Sequence, residues 1–266
     1  MRDSDQERIS FMKYKESAVV VGQKKIASDI YSLWLQTERI AREAKPGQFL
    51  SLFSRDKSRM LPRPISICEL ERETGRIRLV YRIAGQGTEE FSRLESGERL
   101  GILGPLGNGF PLETGKKKAF LMGGGIGIPP MLQLARELAC EVQIIAGYRD
   151  ELFLTEELAA CGALWISTED GSAGTKGNVL DAVRGYGLTA DVIYACGPKP
   201  MLRAVRAYAL EKGIECWISM EERMACGVGA CLACVCESVE VDRHTQVHNK
   251  RVCKDGPVFL STEVEL

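Results

Sequence analysis

Two periodicities divide the chain. Up to about residue 110, short runs of apolar or alternating residues are separated by turn signals. Ala18-Val19-Val20-Val21 is a β-branched run stopped by Gly22, and Pro46-Gly47 is a turn ahead of the largely apolar Phe49-Leu50-Ser51-Leu52-Phe53. Residues 76–83 alternate polar and apolar side chains with period two, as a half-buried strand does. The glycine-rich stretch 101–109 closes the region. Many short strands with few helical patterns predict a small antiparallel barrel.

From about 118 to 219 the pattern becomes strand, then helix, repeated. Apolar runs at 119–122, 142–146, 163–167, 192–195 and 214–218 read as strands. In 130–139, Met131, Leu134, Ala135 and Leu138 fall at i, i+3, i+4 and i+7, one apolar helix face. Residues 198–212 form a second helical pattern, with proline in its first turn and Gly213 as its stop. Strands alternating with helices predict a parallel, doubly wound sheet. The remainder is cysteine-rich and ends in a short acidic tail. The expected class is therefore β plus α/β, in three parts: a barrel over 12–112, a nucleotide sheet over 113–220 and a small lobe over 221–266.

Length and charge exclude some classes. The 266 residues carry 35 basic and 36 acidic side chains, a net charge of −1, without the basic surplus of a nucleic-acid binder. Nothing approaches the roughly 20 consecutive apolar residues of a membrane span. The start, Met1-Arg2-Asp3-Ser4-Asp5, mixes charge signs and lacks the apolar core of a secretory signal. A cytoplasmic chain that binds neither nucleic acid nor membrane is expected.

The ten cysteines are unevenly spread. Cys68, Cys140, Cys161, Cys196 and Cys216 are scattered, as small buried apolar residues are. Cys226, Cys231, Cys234, Cys236 and Cys253 crowd together, and clustered cysteines without an export signal read as metal ligands before disulfides. Cys226, Cys231 and Cys234 stand at C-x4-C-x2-C, the plant-type [2Fe–2S] spacing, which takes a fourth thiolate from further along, here Cys253. Gly227, Gly229 and Ala230 let the loop turn tightly and aim N–H groups at sulfur. A four-thiolate zinc site takes the same ligand type but favours paired short knuckles. A Rieske centre needs two histidine ligands, and the only two histidines, His244 and His248, lie outside the cysteine loop. Cys236 is the spare.

A second chemistry sits where the first sheet strand meets its helix. Gly123-Gly124-Gly125-Ile126-Gly127-Ile128-Pro129-Pro130 offers side-chain-free backbone and a helix start to a pyrophosphate, with Gly125 and Gly127 as candidate nicotinamide-dinucleotide contacts. Prolines that pre-set the first helical turn stand where the usual fingerprint has its third glycine. A second turn, Ala195-Cys196-Gly197-Pro198, falls at the carboxyl end of a later strand, where such sheets bind ligands. After the second strand, Asp150 and Glu151 supply acids that would accept bonds from a ribose 2′-hydroxyl, and Arg149 is the one group suited to a 2′-phosphate. The three also suit the start of a solvated helix.

Arg63-Pro64-Ile65-Ser66 on a barrel strand, Gly85-Gln86-Gly87-Thr88 ahead of a helical stretch over 89–94, the glycine-rich turn and Cys196-Gly197-Pro198 occur in the order of the ferredoxin–NADP reductase superfamily, which residues from about 15 to 220 resemble. With the cysteine extension, Gly104-Pro105-Leu106-Gly107-Asn108-Gly109-Phe110 and Val252-Cys253-Lys254-Asp255-Gly256-Pro257-Val258-Phe259, the chain is similar to the electron-transfer subunits of NAD-linked, two-subunit (class 1B) dihydroorotate dehydrogenases of pyrimidine synthesis. That resemblance implies an oxidoreductase subunit with FAD in the barrel–sheet cleft, a [2Fe–2S] cluster and NAD(H) as substrate. It also implies a separate FMN-bearing catalytic subunit in a two-plus-two heterotetramer. Arg63 would pair with the FAD pyrophosphate, with Pro64 and Ile65 beside it, and Ser66 would bond the flavin ring. Val80, Tyr81 and Arg82 would line the flavin and its chain, and Gly87 and Thr88 would donate to the pyrophosphate. Glu151 is favoured over Asp150 for the NAD ribose, with Cys196 and Gly197 as further NAD contacts. No residue suggests itself as a substrate acid or base. The small subunit of a ferredoxin-dependent transhydrogenase, or a sulfhydrogenase reductase subunit, is the alternative.

Overall fold

The structure, a computed structural model, describes residues 12–112, 115–241 and 246–266; His244 lies outside them. Six antiparallel strands close the barrel: β1 (Tyr14–Ala27), β2 (Ile30–Gln36), β3 (Phe49–Leu52), β4 (Arg63–Glu71), β5 (Arg76–Arg82) and β6 (Arg99–Leu106), in the order β1-β2-β5-β4-β3-β6 with β6 returning to β1. Two short helices belong to it, α1 (Ile40–Glu43) and α2 (Gln86–Phe91). The period-two pattern of 76–83 has its physical result in β5: Ile77, Leu79 and Tyr81 fill the barrel with Leu33, Leu50 and Ile67, while Val80 faces the neighbouring sheet. The helical stretch begins three residues earlier than the sequence suggests, because the Thr88 hydroxyl accepts the Ala84 N–H (2.9 Å) and donates to the Gly85 carbonyl (3.0 Å), drawing the glycines into its first turn.

The sheet carries β7 (Lys118–Gly124), β8 (Glu141–Tyr148), β9 (Ala163–Thr168), β10 (Thr175–Lys176), β11 (Val192–Cys196) and β12 (Glu215–Ser219), all parallel. Its order is β10-β9-β8-β7-β11-β12, with helices α3 (Pro129–Glu137) and α4 (Thr155–Ala159) on one face, and α5 (Val179–Gly185) and α6 (Lys199–Lys212) on the other. Strands buried on both faces explain the near-continuous apolar runs. On β7, Phe120 and Met122 join the α5–α6 side, and Leu121 joins the α3 side, where barrel residues Ala27, Ile30 and Val80 complete the core.

The cysteine-rich lobe adds the hairpin β13 (Val235–Glu237) and β14 (Asn249–Arg251), then β15 (Val258–Leu260). Here the structure departs from a purely parallel sheet. β15 pairs antiparallel with β12, so the lobe ends as the sheet's edge strand, and Phe259 enters the α5–α6 core. The GPLGNGF and CKDGPVF motifs, 150 residues apart, meet at this seam. Asn108 donates to the carbonyls of Asp255 (3.1 Å) and Val258 (2.9 Å), and its amide oxygen accepts the Val258 N–H (3.0 Å). Gly107, at φ 71, allows the approach: a Cβ there would lie 2.4 Å from Pro257. Among the described residues, no helix is long and apolar enough to cross a membrane.

Candidate active site and cluster lobe

The barrel motifs converge. Arg63, first residue of β4, lays its guanidinium against Gly87 in the first turn of α2; a Cβ on Gly87 would stand 2.6 Å from Nε and 3.0 Å from Nη2. A side chain there would displace the Arg63 guanidinium rather than the backbone. The forked cation and the first N–H groups of α2 thus lie side by side, suited to a pyrophosphate. Ser66 pairs across the barrel with Phe49 of β3. Of the three β5 candidates, Arg82 is exposed and pairs with Asp29 at 3.1 Å. Val80 is buried against the sheet. Tyr81 turns its ring into the barrel, where its hydroxyl donates to Gln23 (2.8 Å), so only its backbone is left for the cleft. Thr88 likewise spends its single hydroxyl hydrogen on Gly85, which makes it a shaper of the turn.

The two sheet turns also meet. A Cβ on Gly127 would lie 2.3 Å from the Cys196 carbonyl oxygen and 2.7 Å from the Gly197 nitrogen. Gly125, at φ 53, has open space at the same position. Together they form one wall of a cleft of about 870 Å³ between barrel and sheet, whose opposite wall includes Ser28, Asp29 and Arg82. After β8 the chain stays irregular until α4 begins at Thr155, so Arg149, Asp150 and Glu151 sit on the cleft rim instead of opening a helix. Arg149 and Asp150 are exposed, 4.0 Å apart. Glu151 reaches across and accepts the Ser28 N–H at 2.8 Å, which holds its carboxyl below the ordinary range. Burial pushes the Cys196 thiol up, so it enters as a neutral, weakly polar wall.

Asn178, Met201 and Glu221 are among the cleft residues that no motif marked. Asn178 caps α5 through the N–H groups of Leu180 and Asp181, and Asp181 accepts the Asn178 N–H in return, a capping box legible as N-x-x-D. Met201 packs against Gly124 and Gly197. Glu221, just beyond β12, lines the cleft with an exposed carboxylate. An acid just past the carboxyl end of a parallel strand was the available signal.

In the lobe, the Cys226 sulfur accepts N–H groups from Val228 (3.4 Å), Ala230 (3.3 Å) and Cys231 (3.4 Å). Burial opposes its ionisation, but these N–H groups and the Cys231 side chain outweigh it and lower the thiol to about 6. Gly227, at φ 69, and Gly229, at φ 85, permit that wrapped backbone. Cys253 is buried, donates its N–H to the Cys234 sulfur (3.4 Å), and is raised to about 12 by burial and by Cys234 beside it. The thiols therefore fall into two touching pairs, Cys226 with Cys231 and Cys234 with Cys253. Among the described residues, no three His, Cys, Asp or Glu side chains converge as the ligands of one metal ion. Four thiolates, three of them on one C-x4-C-x2-C loop, are the ligands that a plant-type cluster takes. The donor set fits [2Fe–2S]. Cys236 packs with Cys234 in the core of the lobe, where burial raises its thiol.

A closed barrel, a nucleotide sheet facing it across a cleft and a thiolate loop packed on the barrel are the parts of a flavin- and iron–sulfur-dependent reductase. Residues 17–110 match the oxidoreductase FAD-binding domain, and residues 221–265 match the iron–sulfur cluster binding domain of dihydroorotate dehydrogenase B. The chain is 42% identical over 264 residues to the dihydroorotate dehydrogenase B (NAD(+)) electron transfer subunit of Bacillus cereus, covering 96% of this chain and 100% of that one. It is 44% identical to the Listeria monocytogenes subunit of the same name, over 93% and 97% of the two chains. Among solved structures, an NADH-dependent reduced ferredoxin–NADP oxidoreductase studied for electron bifurcation superposes with TM-score 0.85 at 28% identity, over 96% of this chain and 91% of that one. An Amycolatopsis cytochrome P450 reductase, at TM-score 0.65 and 22% identity over 79% and 69%, shares the fold. The chain belongs to the dihydroorotate dehydrogenase B electron transfer subunit family. It is an oxidoreductase subunit with an FAD-binding and an iron–sulfur domain; the transhydrogenase and sulfhydrogenase alternatives are not favoured.

Proposed function

We propose that this chain moves electrons between NAD(H) and the FMN of a separate catalytic subunit, through its own FAD and [2Fe–2S] cluster, in the conversion of dihydroorotate to orotate. The observation that carries the reading is the proximity of the two cofactor regions. Ser66 pairs with Phe49 on β3; two residues further along, Ser51 touches the cysteine loop, where a Cβ on Gly227 would lie 2.8 Å from its Oγ and 3.3 Å from Leu106 on β6. A flavin exchanges a hydride on one side and single electrons on the other, which is what linking NADH to an iron–sulfur centre requires.

The chain's residues then hold and orient. Arg63, with Pro64 and Ile65, and the N–H groups of Gly87 and Thr88 take the FAD pyrophosphate. Ser66 and the backbone of Val80 and Tyr81 face the flavin, and Arg82 leaves Asp29 for the phosphate chain. Gly125 and Gly127 admit the NAD pyrophosphate, Cys196 and Gly197 flank the nicotinamide, and Glu151 exchanges the Ser28 N–H for the ribose hydroxyl, favouring NADH over NADPH. Cys226, Cys231, Cys234 and Cys253 hold the cluster, whose solvent side is left open by the exposed Cys231 and Leu232. The parts run 12–112, 113–220 and 221–266, and the assembly is a cytoplasmic two-plus-two heterotetramer. Mixing the purified chain with an FMN-bearing catalytic subunit should restore NAD-dependent dihydroorotate oxidation. Reduction of NADP by ferredoxin in its place would point to the transhydrogenase role.

A further inference from the structure

Barrel and sheet are joined behind the cleft by a half-buried polar clamp that the chemistry above does not use. β4 carries Arg63 at its start and Glu69 and Leu70 near its end, and α3 follows the Gly125–Gly127 turn and carries Gln133 and Arg136 further along. The two elements lie against each other at their far ends. Gln133, buried, accepts the Leu70 N–H at 2.7 Å, and Arg136 donates to Glu69. Glu69 also binds Arg78 of β5 (3.2 Å), whose guanidinium reaches on to Glu157 of α4 (3.2 Å). The Glu69 and Arg78 side chains are each only 11% exposed. Two barrel charges thus interlock with two sheet charges, and the set is neutral.

Such a network is poor evidence for stability, because desolvating buried charges cancels most of their attraction and an apolar interface would hold as well. What a forked guanidinium adds is direction. Apolar faces can slide past one another, whereas Arg78, held on both sides, fixes the rotation of sheet against barrel. Arg136 stands about 10 Å along α3 from Pro129, and Leu70 about 23 Å along β4 from Arg63. The clamp therefore acts through rigid elements that end at the two cofactor sites. Hydride transfer needs reacting atoms about 3–3.5 Å apart, and a shift of about 1 Å can cost about a hundredfold.

We propose that Glu69, Arg78, Arg136, Glu157 and Gln133 are positioning residues that set the nicotinamide-to-flavin distance across the cleft. The inference rests on the NADH-to-FAD reading above. Arg136 and Glu157, the more exposed members, are the ones to alter, since Arg78→Ala risks the fold. In the FAD- and cluster-loaded protein, Arg136→Ala and Glu157→Gln should slow flavin reduction at saturating NADH at least tenfold. They should also weaken the charge-transfer absorbance formed with a non-reducing nicotinamide analogue. FAD content, NADH dissociation constant (within about threefold) and melting temperature should hold, and Arg136→Lys should recover most of the rate. Variants that keep the charge-transfer band and a rate within twofold of the unaltered protein overturn the proposal. So does a rate loss that merely follows loss of FAD or of the fold. If NADH fails to reduce the unaltered protein, it is the reading of the function that falls.

Discussion

The cysteine loop and the nucleotide cleft are built by opposite means. Three of the four proposed cluster thiolates come from the nine consecutive residues 226–234, and the local backbone supplies N–H groups to the Cys226 sulfur. The cleft is assembled from segments far apart in sequence, including Ser28, Gly125, Glu151, Gly197 and Glu221. A local site is specified by spacing and glycine conformation; a distributed one depends on how two domains are held. The difference predicts that changes in the loop act on metal alone, while changes in the cleft act on hydride transfer and spare the metal.

The largest effect that could break this comparison lies in the loop. Serine at Cys226, Cys231, Cys234 or Cys253 should bleach the visible absorbance of the cluster, and Cys236→Ser should leave it intact. Loss of iron from the Cys236 change alone would contradict the assignment. On the other side, Gly127→Ala places a Cβ 2.3 Å from the Cys196 carbonyl, so backbone must shift. NADH-driven flavin reduction should fall about a hundredfold with FAD and iron content unchanged, and stopped-flow absorbance reads the rate.

At the seam between the two regions the comparison sharpens. Asn108→Ala removes three part-buried hydrogen bonds to the chain just after Cys253. At about 0.5–1.5 kcal/mol each, the expected loss is about 1.5–4.5 kcal/mol in denaturant unfolding, with faster iron loss to a chelator. Unchanged chelator kinetics would show that the seam does not steady the fourth ligand. Arg63→Ala should weaken FAD by about 1.5–3 kcal/mol, roughly ten- to a hundredfold, without unfolding the barrel; flavin content after dialysis measures it. The smallest effect is expected at Glu151, where Gln should reduce the kcat/KM preference for NADH over NADPH by roughly three- to tenfold. No change in that ratio would leave Glu151 as a tether to Ser28 only.

The same contrast explains what was legible in the sequence. Period-two alternation, a 3.6-residue stripe and C-x4-C-x2-C are local patterns, so the barrel strand β5, helix α3 and the thiolate loop could be read directly. That Arg63 would lie on Gly87, or Gly127 on Cys196, is a consequence of folding, and the motifs showed only that each member existed. Tyr81 illustrates the limit: Arg82 beside it lines the cleft and Val80 packs on the sheet, but strand alternation sends the Tyr81 ring into the barrel core. The antiparallel β15 was out of reach because its three residues, Val258, Phe259 and Leu260, are too few to carry a period. Glu69 and Arg136 have no motif at all; each looks like a surface charge until the two domains meet.

The most direct test is anaerobic addition of NADH to the purified, FAD-containing chain, followed by electron paramagnetic resonance and paired with iron and zinc analysis. The account predicts two irons per chain, bleaching of the flavin, and the signal of a reduced [2Fe–2S] cluster that disappears when Cys226 is replaced by serine. A protein that carries zinc, or whose flavin is bleached by NADH while no cluster signal develops, would contradict it.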